Sequence, residues 1–300
     1  MENESSIRKI ESKRVQLTLS EDEFLLLRNY IMDNCGILIP YEKAYLFETR
    51  LSSIVDEAGA KSFFGLYRTL VSSPDTLMHQ KVIDAMTTNE TLWFRDAVPW
   101  EYMEKVAIPG FVKEILSGKK KTIRIWSAAV STGQEIYSTV MCVDDYLRKN
   151  RVIGVNLSNF EFFATDICSH VVDAAKKGSY DKNSMERGLP RYYKDKYFAK
   201  NGMSWDIDPR IRDSVKFLKF NLINDYHIFG MYDIILCRYV LIYFSDSAKK
   251  GIIERMNGSL TDGGVLLTGN YVINDAFEKH YDIKRYKNMT YYTKKHTIHT

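Results

Sequence analysis

The strongest constraint in this chain is a change of hydrophobic period near residue 120. Before it, apolar residues recur three and four apart, which places them on one face of a helix. Ser20-x-x-Glu23 is a capping box in front of Phe24, Leu27, Tyr30 and Ile31, so a first helix starts at Ser20. Pro40 opens a second, striped by Leu46, Phe47, Leu51, Ile54 and Val55 and stopped by Gly59. Ser62 caps a third over 63–71, and Pro74 precedes a fourth over 77–86, following the preference for Ser at N-caps and Pro at helix starts. Residues 17–86 therefore read as a small all-α domain.

After residue 120, short apolar runs alternate with helical segments. Strands are expected over 122–127, 161–165, 215–218, 232–237 and 265–268, and helices over 135–147, 169–177 and 246–260. The group Asp262-Gly263-Gly264 is expected to turn the chain, and 286–294 to close the sheet. Such alternation indicates an α/β fold, a parallel sheet with helices on both faces, over residues 87–300. Residues 179–214 break the rhythm with Tyr, Lys and Gly and read as an insertion that contributes nothing to the carboxyl edge of the sheet. Within it Gly202 marks a hairpin turn whose strands leave an exposed edge, suited to an added peptide strand.

Charge excludes some partners. The net charge is −3 over residues 1–80 and +7 over 81–300, too mild and dispersed for a nucleic-acid binder but compatible with an acidic substrate. Cys35, Cys142, Cys168 and Cys237 stand far apart without a Cys-x-x-Cys pair, and no His-x-x-x-His occurs; they read as reduced core thiols rather than a zinc site. No apolar run approaches the roughly 18 residues of a membrane span, and Met1 to Arg14 is polar without a signal-peptide core, so the cytoplasm is the expected compartment.

Candidate chemistry gathers at the carboxyl ends of the expected strands. The first strand-to-helix turn, Trp126 to Glu135, is built of small residues that let a ligand approach backbone and helix N-terminus. It lacks both Gly-x-Gly-x-x-Gly and the P-loop Lys, which favours a ligand without phosphates. A ligand-free tight connection is the alternative. Asp166 ends the second strand, where a carboxylate accepts from ribose hydroxyls; the alternative is a cap for the helix near Ser169. Asn221-Leu222 follows the third strand, and Cys237 to Phe244 follows the fourth, with Val240, Leu241 and Ile242 readable as core. Thr87 to Arg95 lies at the domain junction and is either a ligand site or a capped linker with a surface Arg.

Together these segments resemble the CheR family of chemotaxis receptor methyltransferases. The resemblance rests on TTNETLWFRD at 87–96, WSAAVSTGQEIYS at 126–138, ATDI at 164–167 and CRYVLIYF at 237–244. It implies S-adenosyl-L-methionine as methyl donor, with S-adenosyl-L-homocysteine as product, and glutamate γ-carboxylates in the cytoplasmic region of chemotaxis receptors as acceptors. It further implies a class I methyltransferase (Rossmann-like) sheet, an N-terminal all-α domain, and an inserted β-subdomain at about 179–214 that docks a receptor C-terminal peptide. By motif position, Asn89, Thr91 and Arg95 line the donor site, Glu135 takes the methionine ammonium, Asp166 the ribose, and Asn221 and Leu222 the adenine side. Tyr239 and Val240 complete the donor site, and Tyr243 stands near the transferred methyl, with Arg95 also near the reacting groups.

The chain departs from the family pattern at several places. It has Gly133-Gln134-Glu135 for Gly-Glu-Glu, Arg238-Tyr239 for Arg-Asn, and Gly269-Asn270-Tyr271-Val272 for Gly-His-Ser-Glu. The second helix offers only Lys43 and Arg50 against Glu42, Glu48, Asp56 and Glu57, where relatives are Arg-rich. If the pocket is functional, the Tyr239 ring is expected alongside the adenine or turned toward the helix near Asp246. Two further readings stand beside receptor methylation: a donor-binding or catalytically inactive relative serving as a partner-binding module, and a methyltransferase for another substrate.

Overall fold

A computed structural model describes residues 17–73, 77–226, 230–269, 271, 278 and 280–296. The chain divides into two compact units, one of residues up to 30 together with 39–86, the other of residues 31–38 together with 87–300.

The first unit is helical. Helix α1 (Glu21–Cys35) starts at the expected capping box: Ser20 Oγ accepts from Glu23 N at 3.3 Å and Glu23 Oε2 accepts from Ser20 N at 3.0 Å. Helices α2 (Tyr45–Glu57), α3 (Phe63–Ser72) and α4 (Leu77–Met86) follow, with Ser62 Oγ capping α3 through Gly65 N at 3.1 Å. Phe24, Leu27, Tyr30 and Ile31 of α1 and Phe47, Leu51, Ile54 and Val55 of α2 are buried, as the spacing predicts, while Leu46 is only half-buried. Pro74 lies outside the described residues.

The second unit carries α5 (Ala97–Tyr102), a π-helical stretch (Met103–Ala107) and α6 (Ile108–Leu116) ahead of the sheet. Then come β1 (Ile123–Ala128), α7 (Gln134–Lys149), β2 (Phe160–Asp166) and α8 (Ser169–Lys177). The insertion holds β3 (Ser179–Asp181), α9 (Lys182–Glu186), α10 (Arg191–Tyr197), β4 (Phe198–Asn201), β5 (Ser204–Ile207) and α11 (Pro209–Arg212). The sheet resumes with β6 (Val215–Lys219), β7 (Tyr232–Leu236), α12 (Asp246–Gly258), β8 (Leu260–Leu267), β9 (Tyr281–Tyr286) and β10 (Met289–Lys294).

The seven strands run in the order β6-β2-β1-β7-β8-β10-β9. The first five are parallel; β10 pairs antiparallel with β8 and β9. The order reverses between β1 and β7, the crevice in which open α/β sheets bind ligands. Alternation puts Ile123 and Ile125 in one apolar cluster with Ile136, Val140 and Val143, and Trp126 and Ala128 in another with Ile252, Ile253 and Met256. Both faces are thus covered, as a parallel sheet requires. All four cysteines are buried and none is in a disulfide.

Three expectations are corrected. Asp262-Gly263-Gly264 does not turn the chain; it is an irregularity inside β8, whose register against β7 shifts between Tyr232 and Ile234. Residues 286–294 do not close the sheet alone, because Lys287 at φ 53° turns β9 back into β10 and β9 takes the edge. The insertion is a three-stranded antiparallel sheet, β3-β5-β4, and carries short helices where little helical periodicity is visible. Gly202 at φ 60° does make the β4–β5 turn.

Candidate active site

Helix α7 reaches the site at its N-terminal end and the insertion at the other. After β1, Ala129, Ser131 and Gly133 take φ values of 61°, 53° and 96°, which bend the chain sharply into α7. Ser131 N donates to Asp166 Oδ2 at 2.8 Å and Cys168 N to Asp166 Oδ1 at 3.0 Å. Asp166, only 6% exposed, therefore ties the turn after β1 to the turn after β2. It does not cap α8, whose N-cap is Cys168.

The segment before α5 closes the other side. Ser131 Oγ donates to the Asn89 carbonyl at 2.7 Å, and Asn89 Nδ2 to Thr87 Oγ1 at 3.2 Å. Phe94 and Asp96 adopt φ values of 46° and 60°, and Tyr239 across the crevice 61°. Among the described residues seven non-glycine residues have positive φ, and five of them, Phe94, Asp96, Ala129, Ser131 and Tyr239, lie in these turns. Such conformations cost about 1–3 kcal/mol each and persist where surrounding contacts over-determine them.

Those contacts centre on a residue that the sequence does not single out. The Arg238 side chain is 1% exposed. Its Nη1 donates to Glu135 Oε2 at 3.1 Å, and its Nη2 to the Arg95 carbonyl at 2.6 Å and Asp96 Oδ2 at 2.8 Å. Glu135 Oε1 accepts from Ser127 Oγ at 2.8 Å, so the acid at the head of α7 is oriented from two sides. Tyr239 OH donates to Asp96 Oδ2, and the Arg95 guanidinium carbon sits 3.5 Å from the Tyr239 ring centroid. Burial and the Asp96 hydrogen bond raise the Tyr239 pKa above its ordinary value, which keeps the hydroxyl a donor. The ring thus turns toward Asp96, not toward α12. Arg95 forms no ion pair with a carboxylate among the described residues.

A narrow cleft results, lined by Glu90, Thr91, Leu92, Arg95, Ala129, Val130, Ser131, Glu135, Arg238 and Tyr239. Of the residues expected from sequence, it brings together Thr91, Arg95, Glu135 and Tyr239, with Asn89 and Asp166 joined to it through Ser131. Asn221, Leu222, Val240 and Tyr243 lie outside its lining. Asn221 Nδ2 donates to the Asn34 carbonyl at 2.7 Å, and Leu222 is buried in the core beside Trp126 and Tyr226. Val240 is the N-cap of a 3₁₀ turn (Leu241–Tyr243). Arg238 and Asp96 stand in the motifs without a role because the signal is tertiary: a buried Arg beside a strand end is informative only once its carboxylate partners, far away in sequence, are known.

The insertion also reaches the edge, contrary to expectation. Tyr180 OH donates to the Thr132 carbonyl at 2.8 Å, Trp93 N to the Arg187 carbonyl at 3.0 Å and Trp93 Nε1 to the Ser184 carbonyl at 3.0 Å.

Comparison with known proteins settles the family. The description "CheR methyltransferase, SAM binding domain" matches residues 89–293, and "CheR methyltransferase, all-alpha domain" matches 22–87. The chain belongs to the CheR methyltransferase family. It is 37% identical to chemotaxis protein methyltransferase Cher2 of Pseudomonas putida over 87% of this chain and 94% of that protein. Chemotaxis protein methyltransferase 1 of Pseudomonas aeruginosa is 36% identical over 89% and 96%, and the chemotaxis protein methyltransferase of Vibrio anguillarum 37% over 84% and 90%. As a CheR member the protein is an S-adenosylmethionine-dependent methyltransferase with the class I fold. The residues present fit that donor: carboxylates at Glu135 and Asp166 suit an ammonium and ribose hydroxyls, and the turn between them offers no phosphate-binding Lys. No helix among the described residues is long and apolar enough to cross a membrane.

Proposed function

We infer that this CheR methyltransferase modifies glutamate γ-carboxylates in the cytoplasmic region of chemotaxis receptors, and that it works in the cytoplasm. Residues 17–86 form its helical domain and 87–300 its catalytic domain, with the insertion at 179–214. Asn89, Thr91, Glu135, Asp166, Asn221, Leu222, Tyr239 and Val240 hold the donor. Arg95 and Tyr243 attend the reacting groups.

The observation that carries this reading is Arg95. A cation held over an aromatic face at the cleft wall, with no carboxylate of its own, is ready for a carboxylate from outside. Bound S-adenosylmethionine supplies an electrophilic methyl on sulfonium sulfur, which the glutamate oxygen takes as S-adenosylhomocysteine leaves. No general base is required, because a glutamate with a pKa of about 4.3 is already ionised at neutral pH. The protein's task is placement: Arg95 orients the carboxylate within about 3–3.5 Å of the methyl, and the closed walls strip water from the nucleophile. Edge strand β4, three of whose four residues are exposed, suits addition of an extended receptor tail as a further strand.

Two measurements test the proposal. Calorimetric titration should give saturable binding of S-adenosylmethionine and of its product. Labelled methyl should then appear on glutamates of a purified receptor cytoplasmic fragment; binding without transfer would favour a partner-binding module, and transfer elsewhere a different substrate.

A further inference from the structure

Two of the expected site residues that stay outside the cleft, Asn221 and Tyr243, share one neighbour, the strap Asn34–Cys35–Gly36–Ile37–Leu38 made of the end of α1 and the three residues after it, which belongs to the second unit although it lies far upstream of the sheet. Its backbone grips two loops at the carboxyl edge. The Asn34 carbonyl accepts from Asn221 Nδ2 at 2.7 Å, holding the loop after β6. Leu38 N donates to the Tyr243 carbonyl at 2.9 Å and Ser245 N to the Gly36 carbonyl at 3.0 Å, flanking an antiparallel bridge between Ile37 and Phe244. Gly36 has φ +74°, and a Cβ there would stand 2.7 Å from Ile223 Cγ2 and 2.9 Å from Phe244 Cδ1, one atom on each loop.

We propose that residues 34–38 are a positioning element for methyl transfer, setting the loop of Asn221 and the loop of Tyr243 against each other. This rests on the roles given to those two residues above. The strap touches neither donor nor acceptor; it acts through Tyr243 and Asn221. It lies outside residues 89–293, the stretch matched by the SAM-binding description, so the catalytic geometry depends on a segment contributed from elsewhere in the chain. Small displacements of a positioned group are enough to matter, since a misplacement of about 1 Å can reduce a rate on the order of a hundredfold.

The test uses three variants of the full chain, each followed by melting temperature, donor affinity by calorimetry and kcat on receptor fragments. Leu38→Pro deletes the N–H that holds Tyr243, and with the Leu38 side chain 43% exposed it removes little packing. It should lower kcat about tenfold while donor affinity stays within about threefold. Gly36→Ala pushes on both loops and should lower both quantities about tenfold or more. Gly118→Ala is the matched control, because Gly118 has nearly the same φ, +75°, and nothing within 4 Å of a Cβ; it should lose stability and keep both. Leu38→Pro with kcat within about twofold of the parent, or Gly36→Ala indistinguishable from Gly118→Ala in both quantities, would overturn the proposal. If Gly36→Ala does not fold, Leu38→Pro decides. A parent that binds donor but methylates no receptor glutamate would sink the functional reading instead, and the strap would then be judged on donor affinity in Gly36→Ala.

Discussion

The two ends of helix α7 solve opposite electrostatic problems. At the N-terminal end Glu135 sits where the helix dipole favours an anion, and its partners Ser127 and Arg238 leave it facing the cleft. At the C-terminal end Asp144 and Asp145 sit where the dipole disfavours anions, and both are buried. There every available donor is recruited: Arg148 Nε and Tyr197 OH, each at 2.9 Å, and Arg210 for Asp144; Lys149 Nζ at 2.7 Å, Tyr192 and Lys196 for Asp145. Most of these donors come from α10 and α11, so the saturated end clamps the insertion to the catalytic sheet. The other end keeps strained turns and a cation without a carboxylate. Complete pairing marks the structural junction, and incomplete pairing marks the site.

The largest effect should come from removing the cation that holds the cleft end together. Arg238→Ala leaves Glu135 and Asp96 without their shared partner, and breaking a buried pair costs about 3–5 kcal/mol. Urea denaturation should show a loss of that order, and calorimetry little residual donor binding. A stable variant with parental affinity would erase the contrast between the two ends.

Next in size, Asp166→Ala should weaken donor and product alike, by about 1.5–3 kcal/mol or roughly tenfold or more, since the ribose is common to both. Loss of the two hydrogen bonds that Asp166 accepts from Ser131 N and Cys168 N will add a stability loss. Unequal effects on donor and product would remove Asp166 from the ribose.

Arg95→Lys keeps charge but not the planar fork, so methyl transfer should fall more than donor affinity. Tyr239→Phe keeps the ring beneath Arg95 and should be nearly neutral for donor affinity. Tyr239→Asn loses the ring and should bind donor no better than the parent; the cation–π contribution at stake is about 0.5–2 kcal/mol. A gain of binding in Tyr239→Asn would mean that the tyrosine closes the donor site.

The smallest effects belong to the clamp and are read against pH. Burial pushes the Asp144 and Asp145 carboxyls up, but hydrogen bonds from Arg210, Tyr197 and Arg148, and from Lys149, Lys196 and Tyr192, outweigh it and hold both below the ordinary value of 3.8. A depressed pKa contributes stability that is complete above the unfolded value and fades as pH falls through the folded one. Asp144→Asn with Asp145→Asn should therefore flatten the loss of stability below about pH 4, with donor affinity at neutral pH unchanged. An acid-unfolding curve as steep as the parent's would show that the pairs carry no pH-dependent stability.

Much of this architecture is legible in the sequence because it is local. Phe24, Leu27 and Ile31 announce their helix face by spacing, and Ile123, Ile125 and Trp126 their strand by a run of apolar residues bounded by polar ones. What stays hidden is tertiary or strained. Lys287 and Asn288 make a hairpin turn without Gly or Pro, so the closing segment is read from 286 onward and β9 before it goes unseen. Gly263 and Gly264 read as a turn, yet they form a register irregularity within β8. Asn89, Glu135 and Asp166 were found through motifs, but no local pattern shows that Arg238 links Glu135 to Asp96, or that Tyr180 from the insertion braces Thr132.

Three of the four buried thiols turn the protein into its own stopwatch. Burial pushes Cys35 and Cys142 up to about 12 and raises Cys237 as well, so at neutral pH only about one in 10⁵ of such groups is the reactive thiolate. Reagents that alkylate thiolates must wait for the chain to open. Cys35 lies on the strap, Cys142 along α7 and Cys237 immediately before Arg238. Their separate labelling times, followed by mass spectrometry with and without donor, would record which part of the catalytic unit breathes first and which the ligand holds shut.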